Sequence, residues 1–282
     1  MKSWTKTCTF RTAAWVVGIA LSLGIVLLSP AASNAQTPPQ TGKGGAALTK
    51  AAAANKYLFV FFYKEGGALP AKLLGKDTTA NTNAMRSVFE SAMAQVADRA
   101  DRVEVNIADA SERDIVKQFD VSRAPMPLVL AIAPNGAITG GFPGKFDEAK
   151  LLNAFATPGL EKCLKALQSQ KLVLLCIQNE RTKNGDAAMR GVREFKADPR
   201  YGQATEVVTV DPSNKEEAKL LADFKVPPEP AEAMTVFLAP PGSALATYTG
   251  ATDKNTLVAK LTSAMASCGS GCGPSGCGPA KQ

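Results

Sequence analysis

The sequence predicts an α/β chain in which one domain plan is used twice, with an export leader in front and a cysteine–glycine tail behind. Three observations carry this reading. The segments Tyr57–Tyr63 and Leu172–Ile177 are apolar throughout, as expected of strands covered on both faces. Strand and helix patterns then follow in the same order in both halves. Landmarks also recur at a near-constant spacing: Ala133-Pro134-Asn135-Gly136 with Ala239-Pro240-Pro241-Gly242, and Gly144 with Gly250, are 106 residues apart. Phe119-Asp120-Val121 and Phe224-Lys225-Val226 are 105 apart, a difference that one inserted residue explains.

The first 35 residues read as a secretory signal. Lys2, Lys6 and Arg11 give a positive start, an uncharged and mostly apolar run fills 13–28, and Ser33-Asn34-Ala35 offers small residues for cleavage before Gln36. The apolar run is shorter than the roughly 20 residues that span a bilayer, which favours cleavage over a retained anchor. Cys8 precedes that run and is too early for lipid attachment. No later stretch is long and apolar enough to cross a membrane. The expectation is therefore an exported protein, periplasmic or secreted, with no membrane insertion after cleavage.

Residues 36–55 form a lead-in that ends in a short Ala-rich helix over 46–55. The first domain, 56–157, begins with the strand Tyr57–Tyr63. Met85, Val88, Phe89, Ala92, Met93, Val96 and Ala100 then recur at helical steps as one apolar stripe. A strand over 103–107 follows. Ser111-Glu112-Arg113-Asp114 resembles a capping box opening a helix that carries Ile115, Val116 and Phe119. A strand over 128–133, the turn Pro134-Asn135-Gly136 into 137–139, and a helix over 150–155 close the domain.

Residues 158–170 are expected as a bridging helix carrying Cys163. The second domain, 171–266, repeats the plan: the strand Thr205–Val210, a helix over 215–224, a strand over 235–238 and a closing helix over 256–265. Residues 267–282 are the tail.

This order resembles the thioredoxin fold. The segment Asp120-Val121-Ser122-Arg123-Ala124-Pro125-Met126-Pro127-Leu128-Val129-Leu130 is similar to the stretch in which that family's cis-proline starts a central strand. The resemblance puts Pro127 in the cis-proline place and Met234 in the matching place of the second copy. The family's chemistry needs Cys-x-x-Cys after the first strand, where a helix N-terminus lowers the thiol pKa. Here that place holds Glu65-Gly66-Gly67-Ala68-Leu69-Pro70 in one copy and Glu180-Arg181-Thr182-Lys183-Asn184 in the other, with no cysteine in either. The resemblance thus implies the fold without dithiol exchange, and a binding or structural role.

Composition narrows the function further. There is no histidine, which removes Ser-His-Asp and Cys-His catalysis and every imidazole metal ligand. Both tryptophans, Trp4 and Trp15, lie in the leader, so the mature chain lacks the ring typical of sugar platforms. The formal charge of +7 falls to +4 without the leader's three cations, and no dense Lys/Arg cluster remains, so nucleic acid is not an expected partner. A protein partner of unknown identity is. Gly140-Gly141-Phe142-Pro143-Gly144-Lys145 is only superficially a phosphate loop and belongs to the hairpin and its following turn. Glu112, Asp114, Glu216 and Glu217 are expected on solvated helix faces.

Five cysteines remain after the leader. Cys163 and Cys176 are expected in the core, with a disulfide between them as a second option in an oxidising compartment. Cys268, Cys272 and Cys277 stand among Gly, Ser and Pro, too polar and open to be a core. They fit three alternatives: a passive oxidised tail, a disulfide or cross-linking tail, or a soft-metal site. Three thiolates suit Cu(I), whereas structural Zn needs a fourth ligand. No cofactor is expected in the main reading; Cu(I) or Zn at the tail belongs to the alternative.

Overall fold

The computed structural model describes residues 42–65 and 76–269. The leader and the first six residues of the lead-in, the segment 66–75 and the chain from 270 onward lie outside them. Two mixed four-stranded sheets follow one another along the chain. The first is built from β1 (Tyr57–Tyr63), β2 (Ala100–Asn106), β3 (Leu128–Ile132) and β4 (Ile138–Pro143), in the order β2-β1-β3-β4. The second repeats it with β5 (Leu172–Ile177), β6 (Thr205–Val210), β7 (Met234–Ala239) and β8 (Ser243–Thr249), in the order β6-β5-β7-β8.

In each sheet the first two strands are parallel and the remaining pairings antiparallel. A parallel pair needs a crossover, and α2 (Lys76–Ala94) and α6 (Gly185–Ala197) supply it. The antiparallel pairs close through tight turns. In the first, Gly136 takes φ +79° and the Asn135 side chain accepts the Ala137 N–H at 2.9 Å. This is the thioredoxin-like strand order, twice.

Six more α-helices lie among the described residues: α1 (Lys43–Ala53), α3 (Arg113–Gln118), α4 (Glu148–Leu152), α5 (Pro158–Gln168), α7 (Ala218–Asp223) and α8 (Lys254–Gly269). They cover both faces of each sheet, which explains the unbroken apolar strands. Tyr57, Phe59 and Phe61 of β1 point to one side, against Phe89, Met93 and Leu151. Leu58, Val60 and Phe62 point to the other, against Ala51, Ile115 and Val121. Alternate residues of β5 divide in the same way, Val173, Leu175 and Ile177 from Leu174 and Cys176.

The duplication extends to backbone detail. Asp120 and Lys225 both adopt left-handed φ, +47° and +55°, at the same point after α3 and α7. An offset of 115 relates α1 and β1 to α5 and β5, against 105 between β2 and β6. The starts of the first two strands are therefore ten residues further apart in the first copy than in the second.

Several elements differ from the sequence reading. The α2 stripe stops short of Ala100, because the helix ends at Ala94 and Ala100 pairs with Tyr57 as the first residue of β2. The helix α6 has no counterpart in that reading. Ser111 does not cap α3; Asp109 caps the short 3-10 turn before it, accepting from Ser111 N–H at 2.9 Å. The expected bridge, α5, packs on β5 and β6 as α1 packs on β1 and β2. Met234 does not match Pro127. Ala233 does, since Gly144 N–H donates to Pro127 O and Gly250 N–H to Ala233 O, both at 2.7 Å.

Candidate functional site

In a thioredoxin-like fold chemistry belongs to the C-terminal ends of the first strand of each sheet, here β1 and β5. At the end of β1 the described chain reaches Glu65. Its backbone is tied to Asn106 at the end of β2, with Glu65 N–H donating to Asn106 Oδ1 (3.2 Å) and Asn106 Nδ2 donating to Glu65 O (2.7 Å). Arg86 of α2 lies over the Tyr63 ring, 5.1 Å from its centroid, and pairs with Glu104 at 2.9 Å and Glu65 at 3.6 Å. The rest of the Glu65–Pro70 stretch lies outside the described residues. The Met126–Pro127 peptide, opposite this strand end, is cis.

At the end of β5 the matching turn is fully described, and it closes on itself. Thr182 Oγ1 donates to Asn179 O at 2.7 Å and accepts from Asn179 N–H at 3.1 Å. Arg181 N–H donates to Asn179 Oδ1 at 3.0 Å, and Asn179 Nδ2 donates to Asp211 Oδ1 at 2.9 Å. Ser213 bonds to that same oxygen through its N–H and hydroxyl, and these bonds hold the Asp211 carboxyl below the usual range. Asn184, at φ +61°, starts α6. The turn faces an open cavity of about 560 Å³ lined by Gln178, Asn179, Glu180, Thr182, Asp186 and Arg190 among others. It offers polar groups of both charges and no sulfur.

The thiols lie elsewhere. Cys163 and Cys176 are free and 1% and 2% exposed. They belong to core clusters on opposite faces of the second sheet, so the sheet itself separates them and no disulfide joins them. Burial pushes both thiols up to about 12. Thiols so placed are almost entirely protonated at neutral pH and are poor nucleophiles.

Cys268 falls within the backbone of the last turn of α8, and its side chain is outside the description. Cys272 and Cys277 lie outside the described residues. Among the described residues no group of three His, Cys, Asp or Glu side chains could hold a metal. No described helix is long and apolar enough to cross a membrane.

The expectation for the carboxylates fails at two of four positions. Asp114 and Glu216 are exposed, but Glu112 and Glu217 are 1% and 4% exposed. Glu112 Oε2 accepts Gly44 N–H at 3.0 Å, and Glu217 Oε1 accepts Gly159 N–H at 2.7 Å. Each carboxylate caps the first turn of the helix that opens its domain, where free N–H groups and the helix dipole favour an anion. The signal was present in the repeat: the two glutamates are 105 residues apart, at the spacing of the neighbouring landmarks.

No protein-family model matches the chain, and no curated protein matches it either. Solved structures do. The first two thioredoxin domains of Saccharomyces cerevisiae Eps1p are 7% identical, with 75% of this chain and 92% of that one covered and a TM-score of 0.27. The zinc-bound form of human ERp44 is 11% identical, with 80% of this chain and 57% of that one covered and a TM-score of 0.30. The Drosophila melanogaster germline thioredoxin Deadhead is 17% identical, with 39% of this chain and 88% of that one covered and a TM-score of 0.28. At scores of this size the overlap is loose, and the strand order and crossovers described above identify the fold. The thioredoxin-like plan, present here in two tandem copies, rests on this chain's own strand order.

Proposed function

We propose that the protein is an exported, non-catalytic tandem thioredoxin-like protein that binds a protein partner or serves as a scaffold in the cell envelope. One observation carries the reading. The turn after β5, where the fold would present its nucleophile, is built from Asn179, Glu180, Arg181, Thr182, Lys183 and Asn184, and its own hydrogen bonds hold it closed. Dithiol exchange needs an accessible thiolate to attack a disulfide sulfur and a second thiol to resolve the mixed disulfide. Cys163 and Cys176 supply neither, being buried, protonated and on opposite faces of one sheet. Binding needs none of this chemistry. The fold's strand-end loops serve it with polar groups such as Glu180, Asp186 and Arg190.

Export rests on the leader. Expression of the whole gene product, with fractionation and mass measurement of the recovered protein, tests it: a mature chain beginning at Gln36 outside the cytoplasm supports export, and full-length protein retained in the cytoplasm removes it.

The alternative places thiol or soft-metal chemistry in Cys268, Cys272 and Cys277, apart from both domains. Native mass spectrometry without reductant, before and after alkylation, separates the two. A bound metal lost on alkylation of the three tail thiols, and absent from Cys272→Ser, would establish the alternative. A metal-free chain with paired tail cysteines supports the binding role.

A further inference from the structure

The helix α5 has two working faces. The first belongs to its own domain: Gly159, Cys163, Ala166 and Leu167 are buried against the second sheet and α7. The second face, formed by Glu161, Leu164, Lys165 and Gln168 at successive turns, meets the first domain. Leu164 packs on the first domain's cluster of Phe59, Phe61 and Leu151. Tyr57 Oη, at the start of β1, donates to Glu161 Oε1 at 2.5 Å and accepts the Ala156 N–H at 2.9 Å, so the connection between the domains is tied down as well. The Gln168 amide takes both backbone groups of Ile138 on the edge strand β4. Its Oε1 accepts the N–H at 2.9 Å and its Nε2 donates to the carbonyl at 2.7 Å, as a neighbouring strand would. Lys165 Nζ donates to Gly136 O at 3.4 Å in the adjoining turn.

The duplication provides an internal control. At the offset of 115 that superposes α1 on α5, Ala46, Thr49 and Ala53 stand where α5 has Glu161, Leu164 and Gln168. Leu172 stands where β1 has Tyr57. Of the three residues common to both helices, Gly44 with Gly159 and Ala51 with Ala166 are buried against each helix's own sheet, and Lys50 with Lys165 is exposed in both. At three of the four positions that touch the other domain α5 carries a longer side chain than α1, and at the fourth both helices carry lysine, Lys50 and Lys165. A helix needing only one sheet does without those three side chains.

We infer that α5 is a helix shared between the domains, and that it joins them into one rigid, cooperatively folding body in place of two modules on a flexible connection. The ends of β1 and β5 are then held at a fixed separation and angle. This concerns how the binding surfaces are carried, and it stands or falls independently of what the thiols do.

Native-state hydrogen exchange on the mature full chain, at rising urea, tests it. The amides of β1 and β3 report the first domain and those of β5 and β7 the second. In the wild type the two sets merge into one unfolding isotherm. The triple variant Glu161→Ala, Leu164→Thr, Gln168→Ala gives α5 the residues α1 already carries. In it the two sets separate by about tenfold or more in exchange rate, and the radius of gyration from solution scattering rises. Two separate isotherms in the wild type would overturn the inference, as would a folded triple variant with exchange and radius unchanged. Should the variant not fold, the wild-type isotherms still decide, and Tyr57→Phe repeats the comparison with a single hydroxyl removed.

Discussion

At the scale of residues, Glu112 and Glu217 are the side chains whose removal the two domains would feel in the same way. Each is buried and accepts a glycine N–H in the first turn of a helix. Replacing Glu112 with Ala leaves that N–H unpaired in an apolar setting, and the expected loss is about 1–3 kcal/mol, read as a lower urea midpoint. Glu112→Gln keeps an acceptor and loses less. The glycines are equally constrained: a Cβ on Gly159 would stand 2.7 Å from Val210 Cγ2 and 2.9 Å from Glu217 Oε2. Gly159→Ala is therefore destabilising although Ala favours helix. Cys163 and Cys176 should resist iodoacetamide at pH 8 in the folded chain and react promptly in urea, which peptide mass mapping reads directly.

Glu161 gives a pH prediction with a definite sign. Burial, with the nearby Glu217 charge, raises its folded-state value above the ordinary carboxylate range, although the Tyr57 hydroxyl pulls the other way. The groups facing it are Tyr57, Glu217 and, beyond the phenol, Arg99. Between the unfolded and folded values the folded chain holds a proton that the unfolded chain has released. The Glu161 contribution to stability is thus greatest in acid and is lost as pH rises through the folded value. Against Glu161→Gln, the wild type should gain relative stability on acidification through that window, measured by urea unfolding at a series of pH values.

At the scale of elements, Asp198 ties the end of α6 to the start of α8. Its carboxylate accepts from Arg200 Nη2 at 2.9 Å and Lys254 Nζ at 2.7 Å, and these bonds hold it well below the usual carboxylate range. Asp198→Asn should loosen the α6–α8 packing, seen as faster exchange of the α8 amides with the β5 amides little changed.

Elements also show what could be read in advance. The strands β1 and β5 stand out in the sequence because covered strands are apolar throughout. The helix α6 does not stand out. Its buried residues, Ala188, Gly191, Val192 and Phe195, include two too small to register as an apolar stripe. Gly191 is needed there because the α8 entry passes close by, and a Cβ would lie 2.1 Å from Thr252 O. The buried glutamates were hidden for a different reason. A carboxylate in a helical pattern has the same composition whether solvated or buried, and only the distant glycine that it meets distinguishes the two. At the strand ends, the absence of cysteine is legible residue by residue, whereas the hydrogen-bonded closure of the Asn179–Thr182 turn depends on side-chain geometry.

At the scale of the whole molecule, two sheets of one plan, a shared helix and a tail of three cysteines divide the labour. The domains present polar strand ends on a stable frame, and the two thiols among the described side chains, Cys163 and Cys176, lie deep in the second domain. Reduction of insulin disulfides by the mature full chain, driven by dithiothreitol, is the most direct test of the claim that the domains do not exchange disulfides. The account predicts precipitation at the uncatalysed rate for the wild type and for Cys163→Ala, Cys176→Ala alike. Turnover above that rate which persists in a Cys268→Ser, Cys272→Ser, Cys277→Ser variant would contradict it, because the domains would then be exchanging disulfides themselves.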